Sequence, residues 1–134
     1  MTRVPAVCFC NTLRMYTPLS GQDPANVPYD ASAPLRLQVA QSVAASLRNL
    51  RSAYVDCLLL HSPLPRHGDL MEVWRAFLPC VFVTPCMMQV WRAMEAEVER
   101  GSVRALGISN CYALPVLQKL WSEAAVKPRV VQNR

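Results

Sequence analysis

Two short apolar runs set the architecture. Tyr54–Leu60 and Val103–Ile108 lack the in–out alternation of a strand with one wet face. A strand buried on both faces reads this way, and that is the habit of parallel sheets. Parallel strands need long crossovers, usually helices, to bring the chain back to the same end. The sequence supplies them. Pro34 opens a helix, at a position where its missing N–H costs nothing. Leu35, Val39, Val43, Leu47 and Leu50 then fall on one stripe, with Gln38, Gln41, Arg48 and Asn49 on the wet side. The first strand stops at His61-Ser62-Pro63-Leu64-Pro65. Helical segments are expected from about Asp69 and from about Met88 to Glu99, with Gly101 as C-cap of the latter. Leu114, Leu117, Leu120 and Trp121 mark another amphipathic helix, and Pro128 precedes a last short strand, Arg129–Gln132. Residues 17–34, rich in Pro and turn formers, read as loop. The order helix, strand, helix, strand, helix, strand fits a doubly wound sheet or part of an eight-fold β/α barrel. Neither G-x-G-x-x-G nor G-x-x-x-x-G-K-[ST], the nucleotide fingerprints of the first, occurs.

The 134 residues suffice for one domain. With 52% hydrophobic and 17% charged residues the chain is too apolar to be a disordered tail. Its net charge of +5 comes from 12 Arg and 2 Lys scattered along the chain. No basic–aromatic stripe suggests nucleic acid. None of the 6 cysteines forms a C-x-x-C pair, so neither a zinc nor a redox motif is present. Cys57 and Cys111 sit in or beside the strand runs and read as small hydrophobes in a reducing compartment. The apolar run Phe77–Trp91 has 15 residues and is interrupted by Pro79, Pro85 and Gln89. That is short of the ~20 apolar residues of a membrane span. Val4–Cys10, interrupted by Pro5, is a poor signal-peptide core. The expectation is a soluble cytoplasmic protein with no nucleic-acid or membrane partner.

Met71-Glu72-Val73-Trp74-Arg75-Ala76 recurs as Met88-Gln89-Val90-Trp91-Arg92-Ala93, 17 residues on. Two copies do not make a repeat array. At 100° per residue the two would differ by about 260° on a continuous helix, so their Trp side chains would face different ways. Pro79 and Pro85 would break such a helix. One copy is read as native and a segment of about 77–93 as an insert. A hydrophobic loop of functional value is the rival reading.

Three polar groups follow three successive strands: His61, Ser109-Asn110 and Gln132. In parallel α/β folds the carboxyl ends of strands build the ligand site. Each residue alone has a bland explanation: a structural histidine, a helix N-cap, a solvated glutamine. Together they point to one small-molecule site, and their spacing names no reaction.

Five blocks carry a family resemblance: Tyr16-Thr17-Pro18-Leu19-Ser20-Gly21-Gln22-Asp23-Pro24; Tyr54-Val55-Asp56 with Leu60-His61-Ser62-Pro63; Val90-Trp91-Arg92-Ala93-Met94-Glu95; Gly101-Ser102-Val103-Arg104-Ala105-Leu106-Gly107-Ile108-Ser109-Asn110; and Lys127-Pro128-Arg129-Val130-Val131-Gln132. Across residues 16–70 and 88–134 the chain resembles the aldo-keto reductases, while residues 1–15 match nothing. The resemblance implies a partial (β/α)8 TIM barrel, about strands 3/4 to 6 with their helices. It implies NADPH-dependent reduction of aldehydes and ketones to alcohols. His61 matches the histidine that hydrogen-bonds the substrate carbonyl, and Ser109, Asn110 and Gln132 match the groups that hold the nicotinamide carboxamide. No metal is implied.

The same resemblance implies a tyrosine proton donor, a lysine that lowers its pKa and an aspartate paired with that lysine. An unassisted phenol titrates near ~10, so it needs such help to work near neutrality. Met15 stands where the lysine should precede the Tyr16 block, and Tyr16, Tyr29, Tyr54 and Tyr112 match other family positions. The tyrosine and aspartate would come from upstream of anything that aligns, and the later segments that grip NADPH from beyond residue 134. This chain alone is therefore expected to be a catalytically incompetent fragment of a reductase. The alternative is a non-catalytic binding or regulatory protein that pairs with a partner through its open barrel edge.

Overall fold

A computed structural model describes residues 7–8, 28–30, 32–61 and 84–133. They form strand β1 (Val7–Cys8), helix α1 (Leu35–Leu50), strand β2 (Cys57–Leu60), helix α2 (Thr84–Glu99), strand β3 (Leu106–Ser109), helix α3 (Leu114–Glu123) and strand β4 (Val130–Gln132). The Tyr16 block, Met15, the helix expected from about Asp69 and the first repeat copy lie outside the described residues.

The sheet runs β1-β2-β3-β4, every neighbouring pair parallel. This order follows the chain and never reverses among the described residues. A doubly wound sheet reverses at its switch point, whereas a barrel winds one way. Right-handed crossovers that all step in one direction also put the helices on one face, and α1 packs against α2. The described part is thus a run of barrel wall.

The core lies between sheet and helices. Leu58, Leu60, Leu106 and Ile108 meet Val39 and Val43 of α1, Val90, Trp91 and Met94 of α2, and Leu120 of α3. Alternation along each strand sends Cys57, Leu59, Gly107 and Ser109 to the opposite, inner face. All eight residues of β2 and β3 are buried, as their unbroken apolar character requires. Gly107 is needed here: a Cβ on it would lie 2.9 Å from the Val130 carbonyl oxygen and 3.3 Å from Leu59 Cγ.

Several expectations are corrected. β1 was not expected as a strand; two residues near Pro5 carry too little pattern to show one. Pro34 is the residue before α1 rather than its first helical residue. Gln38, assigned to the wet side, is buried because its Nε2 donates to the Ala33 carbonyl at 2.7 Å. Leu50, assigned to the stripe, is exposed at the last turn of α1. Helix α2 starts at Thr84, before Pro85 rather than after it. Proline in a first turn loses no intrahelical bond. Leu114 and Trp121 point outward, and the buried side of α3 is Val116 and Leu120. Gly101 does end α2 in the left-handed region, with φ +77°.

The second repeat copy lies inside α2. Trp91 is fully buried, and its Nε1 donates to the Val126 carbonyl at 3.0 Å. One turn later Glu95 Oε1 accepts from the Val126 N–H at 2.9 Å. The two side chains satisfy both main-chain groups of Val126 and fix the α3–β4 connection on the helix layer. Among the described residues no helix is long and apolar enough to cross a membrane.

Candidate active site at the carboxyl ends of three strands

The carboxyl ends of β2, β3 and β4 lie side by side, and they bring His61, Ser109, Asn110 and Gln132 together. Ser109 and Gln132 are register partners in the β3–β4 ladder. They therefore share one row and the inner face. Ser109 is buried and its Oγ donates to the Gln132 carbonyl at 3.1 Å. Gln132 is exposed. His61 follows β2 with the inward parity of Cys57 and Leu59.

Asn110 ties the three ends to one another. Its N–H donates to the Gln132 carbonyl at 3.0 Å. Its side-chain Nδ2 donates to the His61 carbonyl at 2.8 Å. Its φ of 54° is left-handed, a conformation that asparagine tolerates better than most residues. This turn carries the chain out of β3 while the amide reaches back across to β2. A row of main-chain and side-chain bonds thus runs from His61 through Asn110 to Gln132.

Sequence reasoning missed Asn133. Its Oδ1 accepts from the Cys111 N–H and its Nδ2 donates to the Cys111 carbonyl, both at 2.9 Å. The only available signal was residue type: asparagine at a strand exit is suited to bonds that mimic main chain. Cys57 and Cys111 are inert by environment. Burial pushes the Cys111 thiol up, and burial with the Asp56 carboxylate nearby does the same to Cys57. Both are free and buried, so they act as protonated apolar groups. Among the described residues no cluster of His, Cys, Asp or Glu could hold a metal.

At the opposite end of the strands, Arg104 stacks over the Tyr54 ring at 3.6 Å and pairs with Asp56 at 3.3 Å. These three residues lie at the amino ends, where barrel residues serve stability rather than chemistry.

A parallel βα wall with polar residues gathered at the carboxyl ends of its strands is the arrangement in which barrel folds build their ligand sites. The chain belongs to the aldo/keto reductase family, whose model matches residues 21–134. It is similar to the NAD/NADP-dependent indole-3-acetaldehyde reductase of Schizosaccharomyces pombe, at 30% identity over 94 residues, covering 70% of this chain and 28% of that protein. It is also similar to the NADPH-dependent codeinone reductase 1-2 of Papaver somniferum, at 36% identity over 105 residues, covering 77% of this chain and 30% of that protein. Among solved structures, the aldose reductase of Giardia lamblia superposes with a TM-score of 0.54 at 32% identity, covering 75% of this chain and 33% of that one. The chain spans about a third of the length of the relatives it matches.

Proposed function

We propose that this chain supplies the nicotinamide-facing and carbonyl-facing wall of an NADPH-dependent reductase that converts aldehydes or ketones to alcohols. The observation that carries the reading is the joining of His61, Ser109, Asn110 and Gln132 at one end of three adjacent parallel strands. The donor set fits a carboxamide, which offers one carbonyl acceptor and one amino donor. Ser109 spends its proton on Gln132, leaving its oxygen to accept. Asn110 spends one N–H on His61, leaving Oδ1 to accept and a second N–H to donate. Gln132 is exposed and brings both kinds of group.

When bound, the nicotinamide would supply the hydride. Ser109, Asn110 and Gln132 would fix the ring's orientation, and orientation is the wall's contribution to rate. His61 would donate a hydrogen bond to the substrate carbonyl as negative charge develops on its oxygen.

These 134 residues alone would not turn over. At the position that the resemblance gives to the amine partner of the phenolic proton donor stands Met15, and a thioether cannot lower a phenol's pKa. The direct test is a chimera in which this chain replaces the matching third of the Giardia lamblia aldose reductase, with the relative's own residues through the lysine position. The chimera is expected to bind NADPH and reduce an aldehyde, whereas the chain alone does neither measurably. In the chimera His61→Ala should lower turnover by about 10²-fold, the scale for losing one donor to a developing oxyanion. A folded chimera that binds no NADPH contradicts the reading.

A second reading keeps the fold without the chemistry. All three β4 residues are exposed, and so are Leu114 and Trp121 of α3. Among the described residues β4 is the last strand of the sheet; an edge strand is a template for pairing, and a protein partner there would make the chain a binding module. A tightly bound protein that co-purifies and shields Val130 and Val131 supports this reading.

The 17-residue unit is, in our reading, a duplication. Removing residues 77–93 joins Ala76 to Met94, so Met71–Ala76 takes the place of Met88–Ala93. The only change in the repeated hexapeptide is Glu72 in place of Gln89, which is exposed. The deletion variant should keep its native near-UV signature and melt within a few degrees of the parent. Loss of cooperative unfolding would instead show that the segment is integral.

A further inference from the structure

We infer that Asn133 is a positioning residue for the candidate cofactor wall: it brackets the main chain of Cys111 and so holds Ser109 and Asn110 in register with Gln132. This rests on the reading of those residues as the carboxamide site.

The β3–β4 ladder ends with the Asn110 N–H on the Gln132 carbonyl. Among the described residues the two strands have no further main-chain pairing beyond that point, since Cys111 leaves toward α3. Asn133 extends the pairing by one step with its side chain. A primary amide presents one acceptor and two donors at nearly the spacing of a peptide group, and here it meets both polar groups of Cys111 at 2.9 Å. The two bonds straddle the residue after Asn110, whose left-handed φ of 54° needs support from its surroundings. Cys111 is buried while Asn133 is exposed. Without Asn133, the Cys111 N–H and carbonyl would lose these partners at the place where the turn must stay fixed.

The consequence is specific. Ser109 and Asn110 lie on one side of the bracket and Gln132 on the other, so loosening it changes the distance between the groups that would grip the two ends of a carboxamide. His61 meets this row through its main-chain carbonyl, which accepts from Asn110 Nδ2, and the bracket itself joins only Asn133 and Cys111. Asn133 should therefore act on cofactor grip and leave carbonyl binding nearly unchanged.

Two measurements test this. In the full chain, amide hydrogen exchange at Asn110 and Cys111 should rise at least tenfold in Asn133→Ala, while Leu58 and Ile108 in the central strands keep their rates. Asn133→Asp, which keeps the acceptor for the Cys111 N–H but loses the donor to its carbonyl, should fall between. In the chimera described above, Asn133→Ala should raise the NADPH dissociation constant and its KM about tenfold, with the aldehyde KM within about twofold. A structural role alone would lower the amount of active protein and leave the NADPH KM untouched. Unchanged exchange at Cys111, exchange raised equally throughout the sheet, or an unchanged NADPH dissociation constant each overturns the inference. If the parent chimera binds no NADPH, the site reading itself fails and this inference falls with it. If the parent binds and Asn133→Ala binds equally well, only the role of Asn133 fails.

Discussion

Trp91→Ala is expected to destabilise the chain by about 3–5 kcal/mol, the range for removing a large aromatic from a core. Three losses combine. The indole is fully buried among residues from the sheet and all three helices, so its removal leaves a cavity that the β2–β3 wall cannot collapse to fill. The Nε1–Val126 bond disappears, leaving a main-chain carbonyl to find water. Glu95 then holds Val126 from one side only. Domains are stable by only ~5–15 kcal/mol in total, so the variant should be largely unfolded at moderate urea. Trp121→Ala is the control: that side chain is 54% exposed, and exposed substitutions usually stay within ~0.5 kcal/mol. Urea melts followed by far-UV circular dichroism check both. Equal midpoints for the two variants would mean that the Trp91 copy of the repeat is not the structural one.

Gly107→Val is expected to cost about 1–3 kcal/mol and, more tellingly, to detach β4. A Cβ at Gly107 lies 2.9 Å from the Val130 carbonyl oxygen and 3.0 Å from Val130 Cβ. The first obstacle is main chain and cannot rotate away. Valine adds two methyl groups on the inner face beside Leu59. The least costly response is for β4 to move off β3, which breaks the bond from the Arg129 N–H to the Leu106 carbonyl and those from Ser109 and Asn110 to Gln132. Tryptic cleavage after Arg129 should therefore accelerate at least tenfold relative to the parent, with cleavage after Arg100 changed much less. Unchanged cleavage at Arg129 would show that β3 and β4 have room for a side chain between them.

How far the sequence could be read depended on which residues carried pattern. β2 and β3 were legible because unbroken apolar runs bounded by polar stops have few other uses, and parallel pairing follows from the helices between them. Val7–Cys8 was illegible because a two-residue strand has no period. A stripe of leucines locates one side of a helix but not its width. Leu50, Leu114 and Trp121 were therefore assigned to a core that ends one turn short of Leu50 and, on α3, centres on Val116 and Leu120. Gln38 looked wet by type and is buried by its bond to Ala33, a partner that lies in the main chain. The same limit applies at the candidate site. His61, Ser109, Asn110 and Gln132 stood out by their place at strand ends, and the structure brings them together, with Ser109 and Gln132 as the last residues of β3 and β4 rather than beyond them. The links between them were hidden, because the acceptors are the carbonyls of His61 and Gln132, and every residue has a carbonyl. Asn133 escaped for that reason: its partners are both main-chain groups of Cys111.

The central claim is that Asn110 and Gln132 face a carboxamide. The most direct measurement follows their side-chain amide resonances in ¹⁵N-labelled chimera during titration with NADPH, with exposed Asn49 on α1 as internal control. The account predicts that the Asn110 and Gln132 amide signals shift together, along one saturating curve that matches NADPH fluorescence, and that Asn49 does not move. Saturable NADPH binding with both signals unmoved would contradict it, placing the cofactor elsewhere than on the carboxyl ends of β3 and β4.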